Sequence, residues 1–390
     1  MSFNKLPAEL LILIGEKLKK NRDLNSLAQV NRHSFQSLNE HLYRYRAANR
    51  DRALHWGIKE RILATVTMAI HVGANLNVKR GKSTPVIAAA KNTDPDILQV
   101  LLENGADPNV HCGGGFNALY FAMKSHDFPS VLLLLENGAN PNIQDCQLNT
   151  LLHLHLQQGV PLKILHLLLK FGADPSAQNG QLETPLHIAV KRKHFEFFKL
   201  LLRFEPNLSA IDMFQRTPFA EALLRQDEGF EMARLLLEHG ASPSIAGQPH
   251  QPIHDMAQLG DVRGLKLLLK YKADINASNG DNETALSLAI KRGHTMAACE
   301  LLQAGAKVEF EYDSPALHLV PTPLQWAATK GDAMMCQLLL KHDPNPDTRL
   351  LFSSLPVTEY DSPRATEILA YKGLSAQKMK KLMTQLACAH

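Results

Sequence analysis

Eighteen histidines and five cysteines are the residues of this 390-residue chain best suited to chemistry, and a shared metal ion is the first chemistry they suggest. Their spacing argues against it. No two cysteines form a Cys-x-x-Cys pair. His153 and His155 are two residues apart, so on a helix they point about 200° away from each other. His250 and His254 bracket a loop–helix junction without cysteine support. His55, His153, His187 and His254 share one place in a recurring phrase, and His194 and His294 share another, which reads as structure. Gly113-Gly114-Gly115 has the composition of a phosphate loop but lacks the Gly-Lys-Ser/Thr that would follow. Neither a His-Glu-x-x-His nor a Gly-x-Ser-x-Gly motif occurs. No enzyme activity, metal or cofactor is expected from these residues.

Composition narrows the class further. Apolar residues make up 45% and charged residues 21%, which suits a globular chain long enough for a large core. The net charge of +4 is concentrated: residues 1–50 carry nine Lys/Arg against four Asp/Glu. The rest of the chain is close to neutral, so a chain-wide nucleic-acid face is not expected. Leu10–Ile14 is too short for a signal peptide, and no run approaches the roughly 20 apolar residues that cross a bilayer. Five scattered cysteines suit a reducing compartment, cytoplasmic or nuclear. Cys112 and Cys146 lie one repeat apart and are read as free thiols.

The elements that position these residues come from an internal repeat. A leucine-rich run closing on Gly-Ala reads LLENGADPN at 101–109, LLENGANPN at 134–142, LLKFGADPS at 168–176, LLEHGASPS at 236–244 and LLQAGAKVE at 301–309. Degenerate copies at 201–209 and 268–276 put Glu205 and Lys272 where the glycine would stand. About 20 residues ahead of each comes a second phrase, such as STPVIAAA at 83–90, ETPLHIAV at 183–190 and RTPFAEAL at 216–223. Nine repeats of roughly 33 residues therefore run from about 50 to 347. Within a repeat, Thr184 can cap a helix and Pro185 suits its first position. A second helix follows and closes in the left-handed conformation that glycine adopts most cheaply. Turns at Glu205, Lys272 and Asp343 are expected to be strained or differently built. Such helix pairs bury their apolar faces only against neighbours.

Thr-Pro-Leu-His at 184–187 and Gly-Ala-Asp-Pro at 105–108 and 172–175, together with this spacing, resemble ankyrin repeats. The resemblance covers about 300 of the 390 residues. It implies an all-α solenoid with hairpin fingers along one edge and a face, made of fingers and first helices, that binds proteins. The connection between Gly305 and Thr322 is longer than its counterparts and holds Glu309-Phe310-Glu311-Tyr312-Asp313.

Residues 1–46 do not fit the repeat. They read as three short helices, the first carrying Leu10 to Ile14 on more than one face. Leu6, Pro7, Glu9, Leu10 and Leu11, then Asp23-Leu24, Leu27, Val30-Asn31-Arg32 and Phe35, resemble an F-box. In combination with the repeats, the chain is similar to fungal F-box proteins with ankyrin tails. The resemblance implies docking onto the small adaptor subunit of a cullin–RING ubiquitin ligase through Leu6, Pro7, Leu10, Leu11, Ile14, Leu24, Leu27 and Val30. On the residues alone, a helical cap for the repeat stack is the other reading. Residues 348–390 read as a degenerate repeat or helical cap.

Contacts for a protein substrate are expected at the fingers: basic Lys79, Arg80 and Lys82 in the first, Phe116, Leu148 and Phe214 near other tips, and Phe310 and Tyr312 in the long connection. Trp56 and Trp326 fall on first helices, where core packing is expected. The partners implied are a ligase adaptor and an unidentified protein, with no nucleic acid and no membrane. A scaffold or inhibitor that never meets a ligase is the competing class.

Overall fold

The computed structural model of the chain describes residues 47–79, 81, 83–112, 114–225, 227–308, 323, 326, 327 and 332–342. Leu6, Pro7, Leu10, Leu11, Ile14, Leu24, Leu27 and Val30, the finger and connection residues Arg80, Lys82, Phe310 and Tyr312, the turn at Asp343 and residues 348–390 lie outside these residues.

Among the described residues the secondary structure is helical, and extended pairing is confined to two isolated bridges, Gln144 with Thr150 and Ser278 with Thr284. Helices come in pairs: α1 (Ala47–Lys59) with α2 (Leu63–His71), α3 (Pro85–Asn92) with α4 (Pro95–Glu103), α5 (Ala118–Lys124) with α6 (Phe128–Glu136), and α7 (Leu151–Gln158) with α8 (Leu162–Lys170). The series continues with α9 (Pro185–Lys191), α10 (Phe195–Leu202), α11 (Pro218–Leu224), α12 (Asp227–Glu238), α13 (Pro252–Leu259), α14 (Val262–Lys270), α15 (Ala285–Arg292), α16 (Thr295–Gln303) and α17 (Ala333–His342). The chain forms two compact units. Of the described residues, the first holds those up to Pro185 with Lys199–Pro206, and the second holds Leu186–Phe198 with those from Asn207 onward.

Local chemistry sets the helix starts. The first helices are capped by Thr84, Asn117, Thr217 and Thr284, whose side-chain oxygens accept the N–H of Ile87, Tyr120, Ala220 and Ser287. Second helices use aspartate instead: Asp94, Asp127 and Asp261 accept from Ile97, Ser130 and Gly264. The negative charge also suits the positive end of the helix dipole. Apolar faces then bury against adjacent pairs. In the first unit α1 packs on α3 and α3 on α5, while α4 packs on α6 and α6 on α8. In the second, α11 packs on α13 and α13 on α15, while α14 packs on α16 and α16 on α17. Leu54, Ile58, Ile87, Leu98 and Leu101 are fully buried in the first unit, and Phe197, Phe198 and Phe219 in the second.

The glycine turns have the expected geometry, with φ of 85° at Gly105 and 86° at Gly172. Glu205 and Lys272 take the same left-handed conformation, with φ of 49° and 63°. Around Lys272 the bonds from its own N–H to Leu269 and from Ala273 to Leu268 reproduce those around Gly172. The Lys272 turn is thus strained rather than rebuilt, whereas after Glu205 stands Pro206, which has no N–H to make the second of these bonds.

Polar side chains join one repeat to the next. His153 Nδ1 accepts the Thr150 N–H at 3.2 Å, so its Nε2 carries the proton and donates to the Glu183 carbonyl at 2.9 Å. His254 does the same between the Gln251 N–H at 2.9 Å and the Ala277 carbonyl at 2.8 Å. Asn109 and Asn142 clamp neighbouring turns: each accepts a backbone N–H, from Asn140 and Asp174, and donates to the carbonyl of Gly138 or Gly172.

Candidate protein-binding face

Fingers connect each second helix to the next first helix, and in four of them an Asp or Asn at the base ties the loop. Asp145 Oδ1 accepts the N–H of Gln147 and of Asn149, both at 2.8 Å. Asn179 does so for Gln181 and Glu183, Asp212 for Phe214 and Arg216, and Asn279 for Asp281 and Glu283. Three residues on, the chain turns through a left-handed residue: Leu148, Leu182, Gln215 or Asn282, with φ between 57° and 60°. The tips are therefore rigidly held, and two of the strained positions carry leucine.

Leu148 is 49% exposed and Leu182 46%. Their fingers touch, since the Gly180 N–H donates to the Gln147 carbonyl at 2.8 Å. The preceding finger abuts in turn: a Cβ on Gly115 would sit 2.5 Å from the Gln144 carbonyl oxygen. Phe116, in that finger, is half-buried and stacks on Tyr120 with ring centroids 3.8 Å apart. It is a support for its own finger and α5 more than a free tip. Lys79, in the first finger, is exposed.

In the second unit Phe214 is 64% exposed and its neighbour Met213 55%. The Lys191 ammonium and the Arg216 guanidinium each lie 5.8 Å from the Phe214 ring. Below them Asp212 is fully buried, with one carboxylate oxygen 3.0 Å from Lys191 Nζ. Burial pulls the Asp212 carboxyl upward, but the Arg216 N–H, the Lys191 ammonium and the Phe214 N–H outweigh it and hold the group ionised below its usual range. A groove of about 160 Å³ beside Phe214 is lined by Arg216, Ile245, Gln248, His250 and Gln251. That is smaller than the roughly 300–1,000 Å³ of small-molecule sites, and fits one side chain of a partner.

Sequence reasoning named Leu148 and Phe214 but passed over Leu182, Met213 and the finger anchors. A signal existed: Asp145, Asn179, Asp212 and Asn279 each stand five residues before the residue at the helix start, Thr150, Thr184, Thr217 or Thr284. Trp56 and Trp326 are half-buried rather than core. His153, His187, His254 and His294 bond carbonyls of a neighbouring repeat, while His55 bonds the Asp51 carbonyl of its own helix. Cys112, Cys146, Cys299 and Cys336 are free thiols. Among the described residues no group of three or more His, Cys, Asp or Glu is placed to hold a metal, and no helix is long and apolar enough to cross a membrane.

The family description "Ankyrin repeats (3 copies)" matches residues 54–145, 152–246 and 253–349, well over half of the chain. No F-box family match is found ahead of them. The human Ankyrin repeat and SOCS box protein 16 is 31% identical over 164 residues, which is 40% of this chain and 35% of that protein. Mouse Rabankyrin-5 is 30% identical over 125 residues, 31% of this chain and 11% of that protein. The chain thus spans about a third or less of the curated relatives it matches.

Proposed function

The chain belongs to the ankyrin repeat family, a fold of protein–protein interaction, and on that premise we propose that it is a non-catalytic receptor: the repeats hold a protein substrate while residues 1–46 dock the small adaptor subunit of a cullin–RING ubiquitin ligase. The observation that carries the reading is the state of the fingertips. Leu148, Leu182, Met213 and Phe214 are about half exposed or more on loops whose backbone is tied at the base. Rigid apolar tips of this kind lose little entropy on binding and suit the anchors of an interface. The adaptor half is supported by the run Leu6, Pro7, Leu10, Leu11, Ile14, Leu24, Leu27 and Val30, and by the SOCS box in the name of the human relative, which hints at a ligase link. The receptor would act by effective concentration, keeping a substrate lysine near a ubiquitin carrier held by other subunits. Lys79, Arg80, Lys82, Phe116, Leu148, Phe214, Phe310 and Tyr312 are the proposed substrate contacts. The place for this role is the cytoplasm or nucleus.

A scaffold or inhibitor with no ligase link is the second reading, favoured by the lack of an F-box match over the amino-terminal segment. Co-expression with the adaptor separates the two. The intact chain is expected to retain the adaptor through purification, and Leu10→Asp to lose it while thermal unfolding of the repeats is unchanged. Pro7→Ala is expected to weaken retention. An intact chain that never retains the adaptor leaves only the scaffold.

A further inference from the structure

The first helices of the first unit carry an unused regularity. A lysine stands in the last turn of three of them: Lys59 in α1, Lys91 in α3 and Lys124 in α5. All three are exposed, and the Lys59 side chain is 81% accessible. The neighbouring positions on the same helix face hold aromatic residues, Trp56 on α1 and Tyr120 and Phe121 on α5, all half-buried with a rim left to solvent. The Lys91 ammonium lies 4.2 Å from the centre of the Phe121 ring, which places it on that shared face, reaching from α3 to α5. The same device recurs in the second unit, where Lys291 lies 5.6 Å from the Trp326 ring.

Charge is sorted between α3 and α5 and their partners α4 and α6, although α1 also holds Asp51 and the second helix α8 holds Lys163 and Lys170. Helices α3 and α5 hold Lys91 and Lys124 and no acid, while α4 and α6 hold exposed Asp96, Glu103 and Glu136 and no base. Adjacent first helices pack against each other, so the lysines recur about every 8–10 Å, the usual spacing of helix axes. An extended polyproline-type chain rises about 3.1 Å per residue with three residues per turn, so every third side chain recurs on one side after about 9 Å.

We propose that Lys59, Lys91 and Lys124, with Trp56, Tyr120 and Phe121 beside them, form a docking track for an extended acidic segment of a partner protein that carries a carboxylate at every third residue. The proposal rests on the protein-binding reading above and adds the chemistry of the ligand. A protein segment fits better than a nucleic acid. Three cations at this spacing neutralise few phosphates, and Glu60 stands 3.8 Å from Lys59 at one end of the row.

The test uses the full chain and a fluorescent peptide of four Glu-Pro-Pro triplets, with an isomer whose glutamates are contiguous. Fluorescence anisotropy at low salt is expected to show the triplet peptide binding about threefold or more tighter than its isomer. Each exposed ion pair accounts for up to about fivefold in affinity, so the triple variant Lys59→Glu, Lys91→Glu, Lys124→Glu is expected to bind at least about tenfold more weakly. Reversing Lys163 and Lys170, on the second helix α8, is expected to change affinity less than about twofold. The proposal is overturned if the control reversal costs as much as the track reversal, if the two peptides bind alike, if neither binds, or if oligothymidylate binds more tightly than the triplet peptide. Adaptor retention is read on residues 1–46, so a failed track with a retained adaptor removes this inference and leaves the receptor reading standing.

Discussion

His254 must stay neutral to hold two repeats together. A proton on Nδ1 would face the Gln251 N–H that it now accepts, and the bond at 2.9 Å would become a repulsion. Burial lowers its pKa, and nearby His250 lowers it further, against the opposing pull of the Ala277 carbonyl, Asp255 and Glu283. The unfolded chain therefore binds the proton more readily than the folded one. The stability that His254 contributes is complete above its ordinary value of 6.5 and falls as pH drops from there towards the depressed folded value. Urea unfolding followed across this window is expected to show a decline that His254→Gln makes shallower. A second residue-scale consequence concerns Glu205 and Lys272. Each occupies a left-handed turn that its own family of turns fills with glycine. Glu205→Gly and Lys272→Gly are each expected to raise unfolding free energy by up to about 1 kcal/mol, since relief of strain exceeds the entropy that glycine adds to the unfolded chain. A fall in the urea midpoint would contradict the strain argument.

At the scale of the element, the finger is the unit that does the presenting, and its anchor decides its order. Asp212 accepts two backbone N–H bonds and faces Lys191 at 3.0 Å while fully buried. Removing the carboxylate leaves a mostly buried ammonium and two N–H groups without their partner. Asp212→Ala is expected to cost about 2–4 kcal/mol in unfolding free energy. Asp212→Asn, which keeps the backbone bonds, is expected to cost clearly less; equal losses would show that the backbone ties add nothing. Helix pairs were legible because three signals agree in most repeats: a capping Thr or Asn, an apolar stripe and a closing glycine. The fingers were harder to read. Their order comes from one Asp or Asn that bonds its own loop, and the residue type alone does not separate that role from ordinary solvent exposure. Phe116 illustrates the limit, because only coordinates reveal that Tyr120 stacks on it. Leu182 illustrates the opposite error, since a leucine in a loop gives no hint that its backbone is left-handed and its side chain exposed.

At the scale of the whole molecule, charge and repeat assign different tasks to different stretches. The excess of positive charge lies in residues 1–50, ahead of most of the repeats. The repeat grammar extends over most of the chain and is matched by family. The amino-terminal motif is short and tolerant of substitution, so its residues carry less information than a phrase repeated along most of the chain. The account's central claim is that this short segment is a docking element for the ligase adaptor and that the repeats are a separate protein-binding surface. Calorimetric titration of purified adaptor into the full chain tests it most directly. The account predicts saturable binding at one adaptor per chain, abolished by Leu10→Asp and unchanged by Phe214→Ala. No heat of binding with the intact chain, or binding that Leu10→Asp leaves intact, would contradict it.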